Sequence, residues 1–426
     1  GDELSFGSPQ QMQQLLYCKI GVPVRLRSKG ALSKGRMTLG FRENGPATDE
    51  DAIRTALAND VEEGSWQEEA LKLTLKAKGA LTKISLYHNK YPLWIHHKDG
   101  KVHPSFTDAG TDTLRPTGSA PNMLQVSKKD KEMRQMFVPP SRDWVVVAID
   151  YASQEIRLMA CEANDPVMKS VYDPADEKDL HSMTGSGIAK MSYEAFIEAR
   201  EDETHKLHPL VEAMRKKAKG VNFGLAYGAG GATLSRNLIV KLEEAQKLLQ
   251  DALNLYQRIK PWQAETADFM DKNGFTLTAF GTKRHATDDI FNNDKGKRAR
   301  QHRQGTNATI QQTAAEMLRI VLTKMAEREL TERLKMVFFA PIYDEVVAFV
   351  HKDDVVEYCT EMRDIMTSAT PPSHDVPQVP EFSIGATWGS VHELGRWPGE
   401  EVIQKAVERA LEEGAEIWDN DMQEAA

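Results

Sequence analysis

Cysteine is scarce in this chain. Its three copies, Cys18, Cys161 and Cys359, are scattered too widely for a disulfide framework or a zinc site. Long apolar runs are missing as well. None approaches the roughly 18 residues of a membrane-spanning helix, and no secretory leader pattern opens the chain, so no membrane partner and an intracellular place are expected. There is no basic excess: the formal net charge of −9 at face value disfavours a nucleic-acid partner. Its distribution weakens that objection. Residues 400–426 hold nine acids against two bases, a local −7 that leaves only −2 for the rest. For phosphate binding a local basic groove matters more than the total. A Walker-type loop is also lacking, because Gly228–Gly231 (GAGG) breaks a helix but no GKS or GKT follows. What remains, 40% hydrophobic and 27% charged residues over 426 positions, suits a globular protein of two or three subdomains. The start at Gly1 rather than Met points to processing, an expression scar or a fragment.

Two stretches stand out. In Asp143–Arg157 (DWVVVAIDYASQEIR) the Val-rich run Trp144–Ile149 has the length and β-branched content of a buried strand, and helical spacing resumes after it. Asp150 therefore stands at the C-terminal lip of a strand. A single such Asp is more often a helix cap or a solvated turn residue. Far downstream, Met336–Val350 (MVFFAPIYDEVVAFV) has two apolar β-type runs flanking Tyr343-Asp344-Glu345, a hairpin with acids at its tip. If the two stretches are neighbours, Asp150 faces Asp344. Two bare carboxylates about 4 Å apart repel by roughly 4 kcal/mol at an effective dielectric of 20. Such a pair needs a shared proton or a divalent cation, and all-oxygen ligands suit Mg²⁺.

The rest of the chain reads as mainly helical. Ser8–Ile20, Asp49–Asn59 and Trp66–Tyr91 have helical spacing, with a basic, Gly-containing loop over Val22–Arg27 and Ser33–Arg36. A hairpin-like turn falls at Lys98-Asp99-Gly100. Thr107–Gln125 is loop-rich and carries Arg115, and Arg134 and Phe137 lead into the Val-rich strand. A helical stretch carrying Asp179-Leu180-His181 runs to about Asn273, broken at Lys260-Pro261-Trp262. Within it Arg215, Lys219, Phe223 and Tyr227 recur every four residues, so a helix places them on one face. One residue of that kind is most simply a core or snorkelling side chain. Two bases followed by two aromatics suit an anionic ligand with a flat ring, such as a nucleoside triphosphate. Phe275–Arg284 reads as an extended pair. Lys295–Arg303 (KGKRARQHR) opens a helix on which Arg303, Asn307 and Gln311 form a polar stripe able to meet groove edges and sugar–phosphate. Glu400–Ile417 reads as an acidic amphipathic helix.

Taken together and in this order, these segments resemble the polymerase portion of family A DNA polymerases, the group of bacterial DNA polymerase I and many phage replicative enzymes. Asp150–Arg157 is similar to the family's first acidic motif, and Tyr343-Asp344-Glu345 to its second. Arg215-xxx-Lys219-xxx-Phe223-xxx-Tyr227-Gly228 resembles the nucleotide-binding fingers helix without a gap. Arg303-xxx-Asn307-xxx-Gln311 resembles the duplex-tracking palm helix, and Arg115 to Asn122 the stretch touching the minor groove near the primer end.

The resemblance implies an α+β right hand with an antiparallel-sheet palm, helical fingers and a helical thumb. Its bounds would be thumb 1–104 (incomplete), palm 105–165, fingers 166–298, second palm part 299–398 and an acidic tail 399–426. It further implies primer extension with dNTPs on a DNA template by two-metal nucleotidyl transfer. Asp150 and Asp344 would hold two Mg²⁺, with Mn²⁺ as a substitute, the Tyr151 carbonyl helping and Glu345 nearby. Arg215, Lys219 and His181 would hold phosphates, Phe223 and Tyr227 would lie against the nucleotide, and Glu155, near the Tyr227 phenol, would exclude ribose. Arg115, Arg303, Asn307, Gln311 and Tyr343 would meet the primer–template, and replication accessory proteins are further candidate partners.

The chain also departs from the family. Ala152-Ser153-Gln154 stands where Ser-Gln-Ile is usual, Tyr343 where His is usual, and Gln312 where Gly is usual. No set of proofreading carboxylates precedes the thumb, so no exonuclease is expected in this chain, and a fragment or trimmed polymerase is. A single-subunit RNA polymerase is the neighbouring alternative, against which bulky Glu155 argues. A catalytically silent DNA-binding scaffold is another, against which the paired acids argue.

Overall fold

The computed structural model describes residues 4–28 and 44–424; the Ser33–Arg36 part of the basic loop lies outside the described residues. The chain divides into two compact units. One joins Gly1–Leu93 to Asp179–Leu255, and the other joins Trp94–Lys178 to Tyr256–Ala426. Helices that carry or flank residues singled out above include α1 (Gln154–Glu162), α2 (His208–Ala226), α3 (Lys295–Glu327) and α4 (Glu400–Glu424).

A five-stranded antiparallel sheet organises the second unit. Its strands are β1 (Trp144–Tyr151), β2 (Met336–Ile342), β3 (Glu345–His351), β4 (Pro380–Gly385) and β5 (His392–Gly395), in the order β2-β3-β1-β4-β5. The central position of β1 explains its composition. Val145–Ile149 are all buried, so a continuous apolar run replaces the in–out alternation of a half-exposed strand. Pro341 lacks an amide proton and lies on β2, an edge strand, where that loss is tolerated. Register brings the acids together. Ile149 pairs with Val346, and Ile342 with Glu345, so Tyr343-Asp344 is a two-residue turn beside the end of β1. Tyr343 takes φ of 61°, a left-handed conformation that a tight hairpin demands and a large aromatic seldom supplies.

Helices α1 and α3 pack together in the same unit, and α3 runs unbroken for 33 residues. Helix α4 extends past the expected Ile417 to Glu424. It packs on β4 through Ile403, Val407 and Ala410, a buried stripe at helical spacing. The helical stretch expected to run to about Asn273 breaks earlier than Lys260-Pro261-Trp262. Leu242–Leu255 ends before Tyr256, and Pro261 sits in the first turn of Ile259–Asn273, where a missing N–H costs nothing.

The first unit is helical. Met12, Leu16, Ile20, Ile53, Leu57 and Leu71 form one core where its N-terminal helices meet. Trp66–Tyr91 is not one regular helix. An α-helix covers Trp66–Lys83, a wider π-type turn covers Ile84–His88, and a short 3-10 turn follows at Tyr91–Trp94. Helix α2 packs on Leu180–Ala189, whose Gly185 meets the ring of Phe196 on the neighbouring helix Tyr193–Glu201. A Cβ there would lie 2.8 Å from Phe196 Cζ. Among the described residues, no helix is long and apolar enough to cross a membrane.

Candidate active site

In the sheet unit, Asp150 and Asp344 lie within hydrogen-bonding reach of each other. Asp344 is half-buried, and desolvation together with the Asp150 charge drives its carboxyl well above the ordinary range. Asp150 keeps one buried oxygen, Oδ1, without a hydrogen-bond partner, while Oδ2 accepts from Lys128 Nζ at 2.9 Å. The adjoining Glu345 is 5% exposed and also raised by burial, with Arg134 opposing the shift. Arg134 Nη1 lies 3.3 Å from Glu345 Oε2, and its guanidinium carbon sits 4.0 Å from the centroid of the fully buried Trp388 ring. Three acids thus converge at a hairpin tip, and two cations balance part of their charge. Tyr151, the last residue of β1, fixes the strand end by donating its hydroxyl to the Met366 carbonyl at 2.8 Å.

Beside this cluster, Glu155 on α1 forms an ion pair with Arg115. The Arg115 guanidinium also lies 5.6 Å from the Tyr343 ring centroid. The loop arginine, the expected sugar gate and the hairpin tyrosine therefore form one connected group. The polar stripe on α3 is graded by depth. Arg303 is exposed, Asn307 is half-buried with Oδ1 unpartnered, and Gln311 is 9% exposed. Gln312 Oε1 and Glu316 Oε2 are likewise buried without a hydrogen-bond partner, an unusual concentration for one helix.

In the helical unit, α2 buries Ala218, Val221, Asn222 and Leu225, and turns Lys219, Phe223 and Tyr227 outward. Phe223 is 37% and Tyr227 41% exposed, so two large rings stand on a helix surface instead of in a core. Arg215 is held by Asp179, Nε to Oδ2 at 2.6 Å, and the Asp179 carboxyl is lowered to about 2 because Arg215 and Ser182 hydrogen bonds outweigh burial. His181 packs against Phe223 with ring centroids 6.1 Å apart and bonds Asn222 through Nδ1 at 3.1 Å. Burial lowers its imidazole to about 4, and Lys219 and Arg215 push the same way, so His181 is neutral at pH 7.

The α2 line, Arg215 to Tyr227, is thus brought together with His181, and Asp150, Asp344 and Glu345 with one another and with the Arg115–Glu155–Tyr343 group. Sequence reasoning missed Lys128 as the partner of Asp150, and it named Arg134 without giving it a role. No periodicity marks either residue. Their only signal was a basic run ahead of an acid-bearing strand.

A sequence profile described as DNA polymerase family A matches residues 1–390. The chain belongs to that family. It is similar to DNA polymerase I of Pseudomonas aeruginosa, 27% identical over 92% of this chain and 39% of the relative. It is similar too to the thermostable DNA polymerase I of Thermus aquaticus, 26% identical over 92% and 42%. The chain therefore spans about two fifths of the length of these family A relatives. In fold it matches the POL domain of Pol1 from M. smegmatis, a structure in complex with DNA primer-template and dNTP. That likeness has a TM-score of 0.73 at 21% identity and covers 91% of this chain and 62% of that one. The α+β fold is thus that of a family A polymerase domain, and α4 lies beyond the family match. Family A polymerases use divalent metal ions. The acid pair fits such an ion: two carboxyls in contact, one with a buried orphan oxygen and the other raised by its neighbour's charge, supply hard oxygen ligands.

Proposed function

We propose that this chain is a template-directed DNA polymerase, extending a primer 3′-hydroxyl with dNTPs and releasing pyrophosphate. The observation that carries the reading is the Asp150–Asp344 pair at the lip of β1 and the tip of the β2–β3 hairpin, in a chain of family A. Primer–template and dNTP, the partners in the solved M. smegmatis POL domain, are carried over to this chain on that basis. The palm would be the sheet unit, and α2 the nucleotide-binding fingers helix.

Asp150 and Asp344 would hold two Mg²⁺ ions, with the Tyr151 carbonyl as a further oxygen ligand. The ions, when bound, would make the primer hydroxyl a better nucleophile and offset charge on the departing pyrophosphate. The residues supply the rest. Asp150, now paired with Lys128, and Asp344, whose carboxyl burial and the Asp150 charge raise, would be the two side chains that hold the ions. Arg134, clamped by Glu345 and Trp388, fixes the hairpin from behind. On α2, Lys219 offers a point charge to phosphate and Arg215 a planar fork, while Phe223 and Tyr227 present ring faces to a base. Neutral His181 takes part as a hydrogen-bonding group and not as a charge. On α3, the unpartnered oxygen of Asn307 and the amide of Gln311 are acceptors and donors for base edges and sugar. Arg115 and Tyr343 would meet the primer end.

The test is primer extension by the pure chain on a defined primer–template with Mg²⁺, offering deoxyribonucleotides and ribonucleotides separately. Template-directed addition of deoxyribonucleotides is expected, with ribonucleotides strongly disfavoured. Binding of primer–template without extension would reduce the chain to a scaffold, and equal use of both sugars would make it an RNA-polymerase-like enzyme.

A further inference from the structure

Away from the acid pair, the sheet unit carries a second cluster of metal-ligating side chains. His96, Asp99 and His103 stand on the turn HHKDGKVH, with ligand atoms all within 4.8 Å of one another. His103 Nε2 lies 2.9 Å from Asp99 Oδ2, and His96 Nδ1 lies 3.4 Å from Asp99 Oδ1. The backbone holds this arrangement in place. Ile95 and Val102 form an antiparallel bridge, and His96 N–H donates to the Lys101 carbonyl at 2.8 Å. Gly100, at φ 67°, closes the turn, and Lys101 N–H donates to the Asp99 carboxylate at 3.1 Å. Three side chains separated by three and four positions thus point to one spot from a braced hairpin.

We propose that His96, Asp99 and His103 form a binding site for a borderline transition-metal ion of the Zn²⁺ class, separate from the Mg²⁺ chemistry of the acid pair. A tetrahedral ion with bonds of about 2.0–2.1 Å sets neighbouring donor atoms about 3.3 Å apart, and the donors here, with each histidine 2.9 or 3.4 Å from one of the two Asp99 oxygens and the whole set within 4.8 Å, need only small side-chain rotations to reach it. The His96 and His103 rings stand edge to face with centroids 5.6 Å apart, as two imidazoles converging on one ion do. Two imidazole nitrogens and one carboxylate select Zn²⁺, Co²⁺ or Ni²⁺ over Mg²⁺, which prefers oxygen and holds its water. Three protein ligands leave a position for water, in keeping with the exposure of the cluster. A bound ion would tie the ends of the turn together just before the strand Ser105–Thr107, which pairs with Thr117–Ser119 next to Arg115.

The experiment is a Co²⁺ titration of the intact chain in excess Mg²⁺, which occupies oxygen-only sites, following the visible d–d absorption of nitrogen-ligated cobalt. One equivalent is expected to bind, and Zn²⁺ should displace it. The double variant His96→Ala/His103→Ala should bind Co²⁺ at least tenfold more weakly, with Asp99→Asn shifting affinity in the same direction. These side chains are exposed, so the circular dichroism and melting of both variants should match the parent. Imidazole proton resonances of His96 and His103 should shift on adding Zn²⁺ to the parent chain. No cobalt band at one equivalent would overturn the proposal, and so would a band of equal affinity in the double variant.

Discussion

Glu155 was expected to guard the sugar, and its carboxylate is already engaged by Arg115. On the proposed reading, Arg115 would set the position of Glu155 as well as meet the primer end. A ribose 2′-hydroxyl entering beside Glu155 would collide with a carboxylate that has little freedom to withdraw, a loss in transition-state fit and not a gain for the correct sugar. Glu155→Ala should raise ribonucleotide use relative to deoxyribonucleotide by at least tenfold in kcat/KM, about 1.4 kcal/mol. Arg115→Ala should shift the ratio the same way but less, and the double variant should match Glu155→Ala alone, because the two residues act through one contact. An unchanged ratio in Glu155→Ala would locate sugar choice elsewhere. Another residue, His374, reports on stability. Burial opposes its charge, but the nearby Cys161 and the hydrogen bond to Glu162 prevail and push the imidazole from 6.5 up to about 9. A raised folded value means the contribution is fully present below pH 6.5 and fades as pH rises through 9. Thermal melts should therefore show His374→Gln less stable than the parent at pH 6, with the gap closing by pH 10. A gap independent of pH would remove the charge from the account.

Among the elements, the packing of α2 on Leu180–Ala189 decides where Arg215 and Lys219 can be, and Gly185 leaves room for the ring of Phe196, which clusters with Val211 of α2. Gly185→Ala places a methyl 2.8 Å from Phe196 Cζ, and overpacking of that kind costs about 1–3 kcal/mol. Denaturant unfolding should show that loss, together with a raised KM for dNTP as α2 is displaced. Wild-type stability would mean Phe196 yields freely. Elements of this kind were partly legible. Strand β1 and the β2–β3 hairpin announce themselves because β-branched runs of strand length end at acids, and α2 because four chemically matched residues repeat every four positions. Their juxtaposition is long-range, and only the ordered family resemblance suggested it. Lys128 beside Asp150 and Arg134 beneath Glu345 join positions 22 and 211 residues apart, which no local pattern encodes. The break at Tyr256 was misplaced for a different reason. Proline was read as a breaker, whereas at the start of a helix it is a favoured residue.

For the whole molecule, the acid pair stands in a chain whose net negative charge argues against DNA until the C-terminal acids are set apart. Helix α4 carries seven of them in its first 20 residues and a total of nine by Glu424, all beyond the family match. The central claim is that Asp150 and Asp344 serve chemistry and not structure, and stability helps to separate the two roles. Asn in place of Asp344 removes a carboxyl whose charged form desolvation and the Asp150 charge both disfavour, so Asp344→Asn should fold at least as stably as the parent. The decisive measurement is single-turnover primer extension in Mg²⁺ by Asp344→Asn, run beside its primer–template affinity and its melting temperature. The account predicts extension slowed at least a thousandfold, about 4 kcal/mol, with binding and melting preserved. Extension at near-parental rate by that folded, DNA-bound variant would contradict it.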